Sequence, residues 1–184
     1  MCQIANIGSG YKKFLSPPNA ENKLMKLEVK VSITLHSISN FDSVRGNYEG
    51  KFTIRLEWID SRLTFNNLRN PPKVNGLQPM EMEKIWFPNF VFVNTKNKEF
   101  SLLDSKSTIK VLKLGSGSLS DNEDFEMKHI YFGMENPLQY IRFYSHFLEC
   151  DFYLYWYPFD IQNCQLNISP SSDREDFVQL GMVF

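Results

Sequence analysis

Leu27, Val29, Val31, Ile33 and Leu35 alternate without interruption with Glu28, Lys30, Ser32, Thr34 and His36. Successive side chains of a strand point to opposite faces, so this period of two specifies a long β-strand with one buried and one wet face. The same signature returns where Phe52, Ile54, Leu56 and Trp58 alternate with Thr53, Arg55 and Glu57. A turn-rich stretch containing Ser39-Asn40 and Arg45-Gly46-Asn47 separates the two, as in a β-meander. Aromatic residues make up 15% of the chain, and such side chains suit a pleated, half-buried surface, so the whole chain leans all-β.

The remaining segments add shorter strands. Tyr11-Lys12-Lys13-Phe14-Leu15 reads as a short N-terminal helix stopped by Ser16-Pro17-Pro18, because a residue before proline is pushed out of the α region. Residues 66–82 carry Asn70-Pro71-Pro72 and Asn75-Gly76 and read as loop. Trp86 to Val93 is a dense aromatic run, and Thr108 to Leu114 is another strand. Gly115-Ser116-Gly117-Ser118 reads as a flexible connection into the acidic stretch Asp121 to Glu126. Tyr140 to Phe152 is aromatic on both faces, as for a strand covered on both sides, and Gln165 to Ile168 is a short strand after it. Many short strands separated by turns, in a chain of one domain's length, predict an immunoglobulin-like β-sandwich.

Charge and motifs exclude several function classes. Lys and Arg number 20 against 21 acids, for a net charge of −1, which offers no basic face to neutralise phosphates. No run of 18 apolar residues exists to form a transmembrane helix, and the first residues lack a signal-peptide pattern. His36, His129 and His146 show no metal-ligand spacing, and Asp121 to Glu126 lacks the spacing of a calcium loop. We therefore expect no metal and no cofactor. No P-loop, G-x-S-x-G or paired catalytic motif occurs, so an enzyme is not expected. The sequon Asn167-Ile168-Ser169 is followed by Pro170, which disfavours its use.

Of three cysteines, Cys2 lies in an unpatterned start (residues 1–9) that reads as a frayed terminus or a wrongly joined exon. Cys150 and Cys164 enclose 13 residues. A bridge closing a loop of that size would constrain the unfolded chain by roughly 3 kcal/mol. By spacing alone it would be an ordinary secreted-domain disulfide. What sets it apart is Tyr157-Pro158-Phe159-Asp160 inside it, a proline-fixed turn with an apolar knob and a charge at its tip.

That loop resembles the signature of Cys-loop receptors, the pentameric ligand-gated ion channels, whose disulfide loop carries an aromatic-Pro-Phe/Met-Asp core. Trp58-Ile59-Asp60-Ser61-Arg62-Leu63 is similar to the family's W-x-D-x-R-L. Trp86-Phe87-Pro88-Asn89 is similar to its W-x-P-D, with Asn89 in place of the aspartate. The order of motifs also fits, over roughly Tyr11 to Phe184.

The resemblance implies a partial extracellular ligand-binding domain over residues 10–184. The last strands, the transmembrane helices and the targeting sequence would lie outside the chain. It implies a subunit that joins homologous subunits in a pentamer at the cell membrane and binds a small-molecule neurotransmitter on its extracellular side. Thr53 and Arg55 fall on the complementary face of the interface, and Val93, Asn94 and Ser171 on the principal face. An arginine at Arg55 can pair with a ligand carboxylate through its planar fork, and a solvated strand residue is an equal reading of it. Ser171 stands where the family usually places an aromatic, which argues against an amine ligand. Asp42, Tyr157, Pro158, Phe159 and Asp160 are the expected gating contacts. Trp58, Asp60, Arg62, Trp86 and Pro88 are expected to be structural. Two other readings stay open: a secreted ligand-binding relative without a channel, and a β-sandwich interaction module.

Overall fold

The alternating segments fold as the two longest neighbours of one sheet. The computed structural model describes residues 3–19, 25–71, 74–96, 98–101, 103–119, 129–171 and 176–182. The first strands are β1 (Ala5–Asn6), β2 (Leu27–Asp42), β3 (Asn47–Trp58) and β4 (Thr64–Asn66), followed by helix α1 (Pro79–Met82). Then come β5 (Phe90–Phe92), β6 (Thr108–Val111), β7 (Ser118–Leu119), β8 (His129–Phe132), β9 (Leu138–Glu149), β10 (Ile168–Pro170) and β11 (Val178–Met182). A five-stranded sheet runs β11-β2-β3-β9-β6, a four-stranded sheet β1-β4-β8-β7, and a two-stranded sheet β10-β5. β11 lies parallel to β2, and the other pairs of the large sheet are antiparallel. The all-β sandwich expected from the sequence is what the chain adopts.

The core sits on the inward face of the large sheet. Phe52, Ile54, Leu56 and Trp58 of β3 are all buried, as their spacing predicts. Tyr140, Tyr144 and Leu148 of β9 join them, with Phe90 and Phe92 from the facing small sheet. Phe92 packs edge-on to Tyr144 with ring centroids 5.0 Å apart, and Phe87 to Tyr140 at 4.8 Å. Aromatic pairs in such arrangements contribute beyond the area they bury.

Four local expectations differ from the structure. β2 buries Leu27, Val29 and Val31, but Leu35 is 56% exposed. The described part of β11 pairs with β2 from Leu27 to Val31, and register shifts follow at Leu35/Ser37 and Ser39/Asp42, so the alternation loses its inward face. β9 is covered on one face only: Phe143 and Phe147 point away from the core and stay more than half exposed, because no described layer lies over that side. The 11–15 segment closes through turn bonds from Tyr11 to Gly8 and from Leu15 to Lys12, and the helix among the described residues is α1. Five residues before a proline pair are too few to sustain a helix without tertiary support. Finally, Gly115 is closely packed, since a Cβ there would lie 2.7 Å from the Glu135 Cβ.

Candidate ligand-binding face and coupling loop

The outward face of β3 carries Thr53 and Arg55, set opposite the buried Ile54 and Leu56 by the pleat. Register places Thr53 between Thr34 of β2 and Phe143 of β9, and Arg55 between Ser32 and Ile141. His36 Nε2 lies 2.7 Å from Thr53 Oγ1, and its ring stands 5.7 Å from that of Phe143. The face thus joins a guanidinium, a hydroxyl, an imidazole and an exposed aromatic ring. No ion pair to a described residue occupies Arg55. His36 and Phe143 went unremarked in the sequence as site residues; the signal for them was cross-strand register, which only the pairing of β2, β3 and β9 reveals. A cavity of ≈ 320 Å³ at the Leu27 end of this sheet, lined by Glu28, Lys30, Glu57 and Glu135 among others, does not include Thr53 or Arg55.

Val93, Asn94 and Ser171 gather elsewhere, around the β5–β10 pair. Val93 N donates to Asn167 O at 2.9 Å. Asn94 is a hub: its Nδ2 donates to Gln165 O at 2.7 Å and its Oδ1 accepts Asn167 N at 2.9 Å, while Glu149 N donates to its carbonyl at 2.7 Å. Its side-chain amide therefore fastens the end of β9 to the segment entering β10. Ser171 is 5% exposed and donates its backbone N–H to Asn89 O at 3.1 Å, so its side chain lies under cover. Within one chain this group and the Thr53/Arg55 face belong to different sheets.

The loop segment behind Val93 is clamped to β9 by an ion pair and an imidazole–carboxylate contact. Arg142 Nη2 meets Asp104 Oδ2 at 2.9 Å, and His146 Nδ1 meets Glu99 Oε2 at 2.5 Å. Burial lowers the His146 pKa, opposed by the Glu99 carboxylate and reinforced by the Arg142 guanidinium. The other ring nitrogen of His146 is buried with no hydrogen-bond partner among the described residues.

The residues expected to couple converge at the opposite end of β3 from Trp58. Asp42 Oδ1 accepts the backbone N–H groups of Val44 and Arg45 at 3.0 and 2.9 Å, closing the β2–β3 turn. Gly46 takes φ +65° there, a left-handed conformation that glycine adopts without strain. Cys150 N donates to Gly46 O at 2.9 Å, so this turn is tied directly to the disulfide. Phe41 bridges the two, stacked at 6.3 Å on Tyr48 and edge-on at 6.4 Å to Phe152.

Cys150 and Cys164 are bonded, with Cα atoms 5.3 Å apart. Between them Phe159 N donates to Trp156 O at 2.7 Å and Tyr157 N to Leu154 O at 3.1 Å, and the Tyr157–Pro158 bond is cis. Gln162 braces the loop by bonding both backbone polar groups of Tyr153 and the Asp160 carboxylate. The result is an ordered scaffold with an apolar outside: Trp156, Tyr157, Phe159 and Ile161 are between 68% and 94% exposed. Exposed apolar residues this concentrated make the loop tip a candidate interaction site.

The remaining motif residues are buried or half-buried. Asp60 is 1% exposed, and Arg62 grips it with two bonds, Nε to Oδ1 at 2.8 Å and Nη2 to Oδ2 at 2.7 Å. Tyr11 donates its hydroxyl to Asp60 Oδ2 at 2.8 Å and accepts Trp86 N at 2.7 Å. Burial, with the adjacent carboxylate, pushes the Tyr11 phenol well above its ordinary range. Trp58 and Trp86 are buried and T-packed at 6.3 Å, and Pro88 is buried beside them. The two tryptophan motifs are thus one assembly, with Tyr11 as its link. Asp121 to Glu126 and Cys2 lie outside the described residues. Among the described residues no group of three metal-ligating side chains occurs, and no helix is long and apolar enough to cross a membrane.

Comparison with known proteins bears on the family of the chain. The family model of the neurotransmitter-gated ion-channel ligand binding domain matches residues 3–120. The chain is 31% identical, over 53% of its length, to a glutamate-gated chloride channel subunit beta of Haemonchus contortus, covering 23% of that protein. It is 26% identical, over 90% of its length, to a gamma-aminobutyric acid receptor subunit beta-like of Drosophila melanogaster, covering 30% of it. It is 24% identical, over 95% of its length, to a serotonin-gated chloride channel of Caenorhabditis elegans, also covering 30%. The chain thus spans less than a third of each of these relatives. They are ligand-gated channels and not enzymes.

Proposed function

Because the chain belongs to the family of neurotransmitter-gated ion-channel ligand-binding domains, we propose that it is the extracellular transmitter-binding portion of a channel subunit, working between homologous subunits at the cell membrane. The observation that carries this reading is the aim of Arg55 and Thr53 out of the large sheet, beside Phe143 and His36. A guanidinium with no ion-pair partner among the described residues, on a strand face, suits a carboxylate, since its planar fork makes two parallel charge-assisted bonds. Glutamate and gamma-aminobutyric acid, for which two of the relatives are named, both carry one. Val93 and Asn94 of a neighbouring subunit would close the other side, and five subunits would complete the ring. Ser171, being buried, would shape that side from beneath.

Ligand contacts that differ between two arrangements of the sandwich shift their populations. Asp42 and the Tyr157–Asp160 tip sit on one rigid end, joined through the Gly46–Cys150 bond and Phe41. That end would pass the shift to the membrane-spanning part, against which the apolar tip fits better than against water. The test is a transmitter panel on assembled subunits. Glutamate, gamma-aminobutyric acid and glycine should bind, and serotonin and acetylcholine should bind far more weakly. A subunit that prefers the amines without a carboxylate would overturn the reading.

A further inference from the structure

The inward face of β9 carries two groups that an apolar core does not need. The pleat turns Tyr140, Arg142, Tyr144, His146 and Leu148 to one side, so a guanidinium and an imidazole stand among rings and aliphatic chains. Buried ion pairs seldom stabilise a fold more than apolar residues of the same size. The His146 ring is hemmed in by those of Phe92, Tyr144 and Phe52, with centroids 4.6, 5.4 and 6.2 Å away, and Gly50 of β3 pairs with it across the sheet. The charged groups that reach it are Glu99 and Arg142, and Arg142 is itself paired with Asp104. The Tyr144 hydroxyl meets that of Tyr140 at 2.8 Å. A carboxylate only accepts, so the Glu99 contact at 2.5 Å puts the ring proton on Nδ1 and leaves Nε2 a bare lone pair. A second proton, on Nε2, would be a buried donor with no acceptor among the described residues, on the same ring face of β9 as the Arg142 guanidinium. Glu99 offsets little of that cost, because its side chain is 46% exposed and screened by water.

Glu99 stands where the chain has folded back on β5. Phe92 N donates to Glu99 O and Ser101 N to Phe90 O, both at 2.8 Å, and Glu99 N donates to Thr95 Oγ1 at 2.8 Å. Val93 and Asn94 lie in the connection between the two limbs, and Thr95 bridges to Leu148 of β9. We infer that His146 is a proton-operated latch: a second proton on its ring expels it from the aromatic cage, frees Glu99, and loosens the hairpin that carries Val93 and Asn94. The Arg142–Asp104 pair still holds the returning limb, so the opening is local. Burial lowers the pKa of the ring, against the pull of the Glu99 carboxylate and with the push of Arg142. The advantage of the closed latch is therefore complete above a pH of about 6.5 and is lost as pH falls through the lowered value. Its consequence for transmitter binding rests on the reading proposed above; the latch itself does not.

The test follows amide hydrogen exchange of the full chain at about pH 7 and about pH 5, read as protection relative to an unstructured peptide. A freed imidazole takes up a proton near its ordinary value, so protection of the Glu99 and Ser101 amides should fall at least about fivefold between the two. At the lower pH it should stand at least about tenfold below that of Ile54 and Leu56, at the centre of the large sheet. His146→Gln should hold the Glu99 and Ser101 protection within about twofold across the same range. Glu99→Gln keeps an acceptor for Nδ1–H but removes the counter-charge of the imidazolium, so the fall should become larger. No fall in the unaltered chain, or an equal fall in His146→Gln, overturns the latch. Equal protection of Glu99 and Ile54 at the lower pH overturns local opening. Should His146→Gln fail to fold, Glu99→Gln decides, and a fall no larger than that of the unaltered chain overturns the latch. In the assembled full-length subunit, the half-maximal concentration of glutamate should rise at least about threefold over the same drop in pH, and less with His146→Gln. No response to glutamate at either pH contradicts the reading of the face, whereas an equal rise in both subunits overturns the link from latch to face.

Discussion

Replacing Arg62 by alanine tests the structural reading of the first tryptophan motif. Asp60 is 1% exposed and would keep only the Tyr11 hydroxyl at 2.8 Å and the backbone N–H of residue 62 at 3.1 Å. Arg62→Ala also frees the Lys12 and Leu15 carbonyls and removes the guanidinium stacked 4.5 Å from the Tyr11 ring. Breaking one side of a buried ion pair costs about 3–5 kcal/mol. The Arg62 side chain is 22% exposed, so water recovers part of this and about 3 kcal/mol is expected. Urea unfolding should show a lower midpoint at unchanged slope. The double variant Asp60→Asn/Arg62→Met should lose less than the sum of the singles, with a coupling of about 1–3 kcal/mol. A loss below about 0.5 kcal/mol for Arg62→Ala, or additive singles, would refute the claim that this pair holds the N-terminal segment to the sandwich.

Phe92→Ala, at a fully buried ring, should cost about 3–5 kcal/mol, readable in the same unfolding assay. Opening the disulfide with Cys150→Ser and Cys164→Ser should cost roughly 3 kcal/mol, and in a full-length subunit it should abolish ligand-evoked current. Phe159→Asp, at a 90% exposed position, should leave the melting temperature within about 1 °C yet uncouple ligand binding from current. Because burial sets the folded pKa of His146 below its unfolded value of about 6.5, its contribution to stability is complete above that pH and lost as pH falls through the folded value. His146→Gln should flatten stability against pH over that window, measured by thermal unfolding from pH 7.5 to 5.

The strand pattern was legible because each central strand of this fold buries one face: Phe52 to Trp58 points inward as its spacing requires. The pattern misled at Leu35, which lies past the described pairing with β11 at Val31 and where bulges begin, a tertiary fact with no local trace. It misled again at β9, where an aromatic outer face looked like a second core contact. The disulfide loop and both tryptophan motifs carried their identity in short fixed spacings. Asn94 was a residue of note, but its role as a fastener of Gln165 and Asn167 depends on segments about 70 residues away. β1 was illegible for the same reason: Glu81, whose carboxylate accepts the Ile4 and Ala5 amides, is distant in sequence, and two paired residues leave no period to read.

The central claim, that Arg55 receives a ligand carboxylate, is tested most directly by comparing Arg55→Lys and Arg55→Ala in the assembled full-length subunit. Losing a charge-assisted bidentate contact costs about 2–3 kcal/mol, so the half-maximal concentration of an activating carboxylate transmitter should rise by roughly 30- to 150-fold in Arg55→Ala. Arg55→Lys should retain part of the sensitivity, because it keeps the charge but not the fork. A half-maximal concentration unchanged within about twofold in Arg55→Ala, with normal surface expression, would contradict the account.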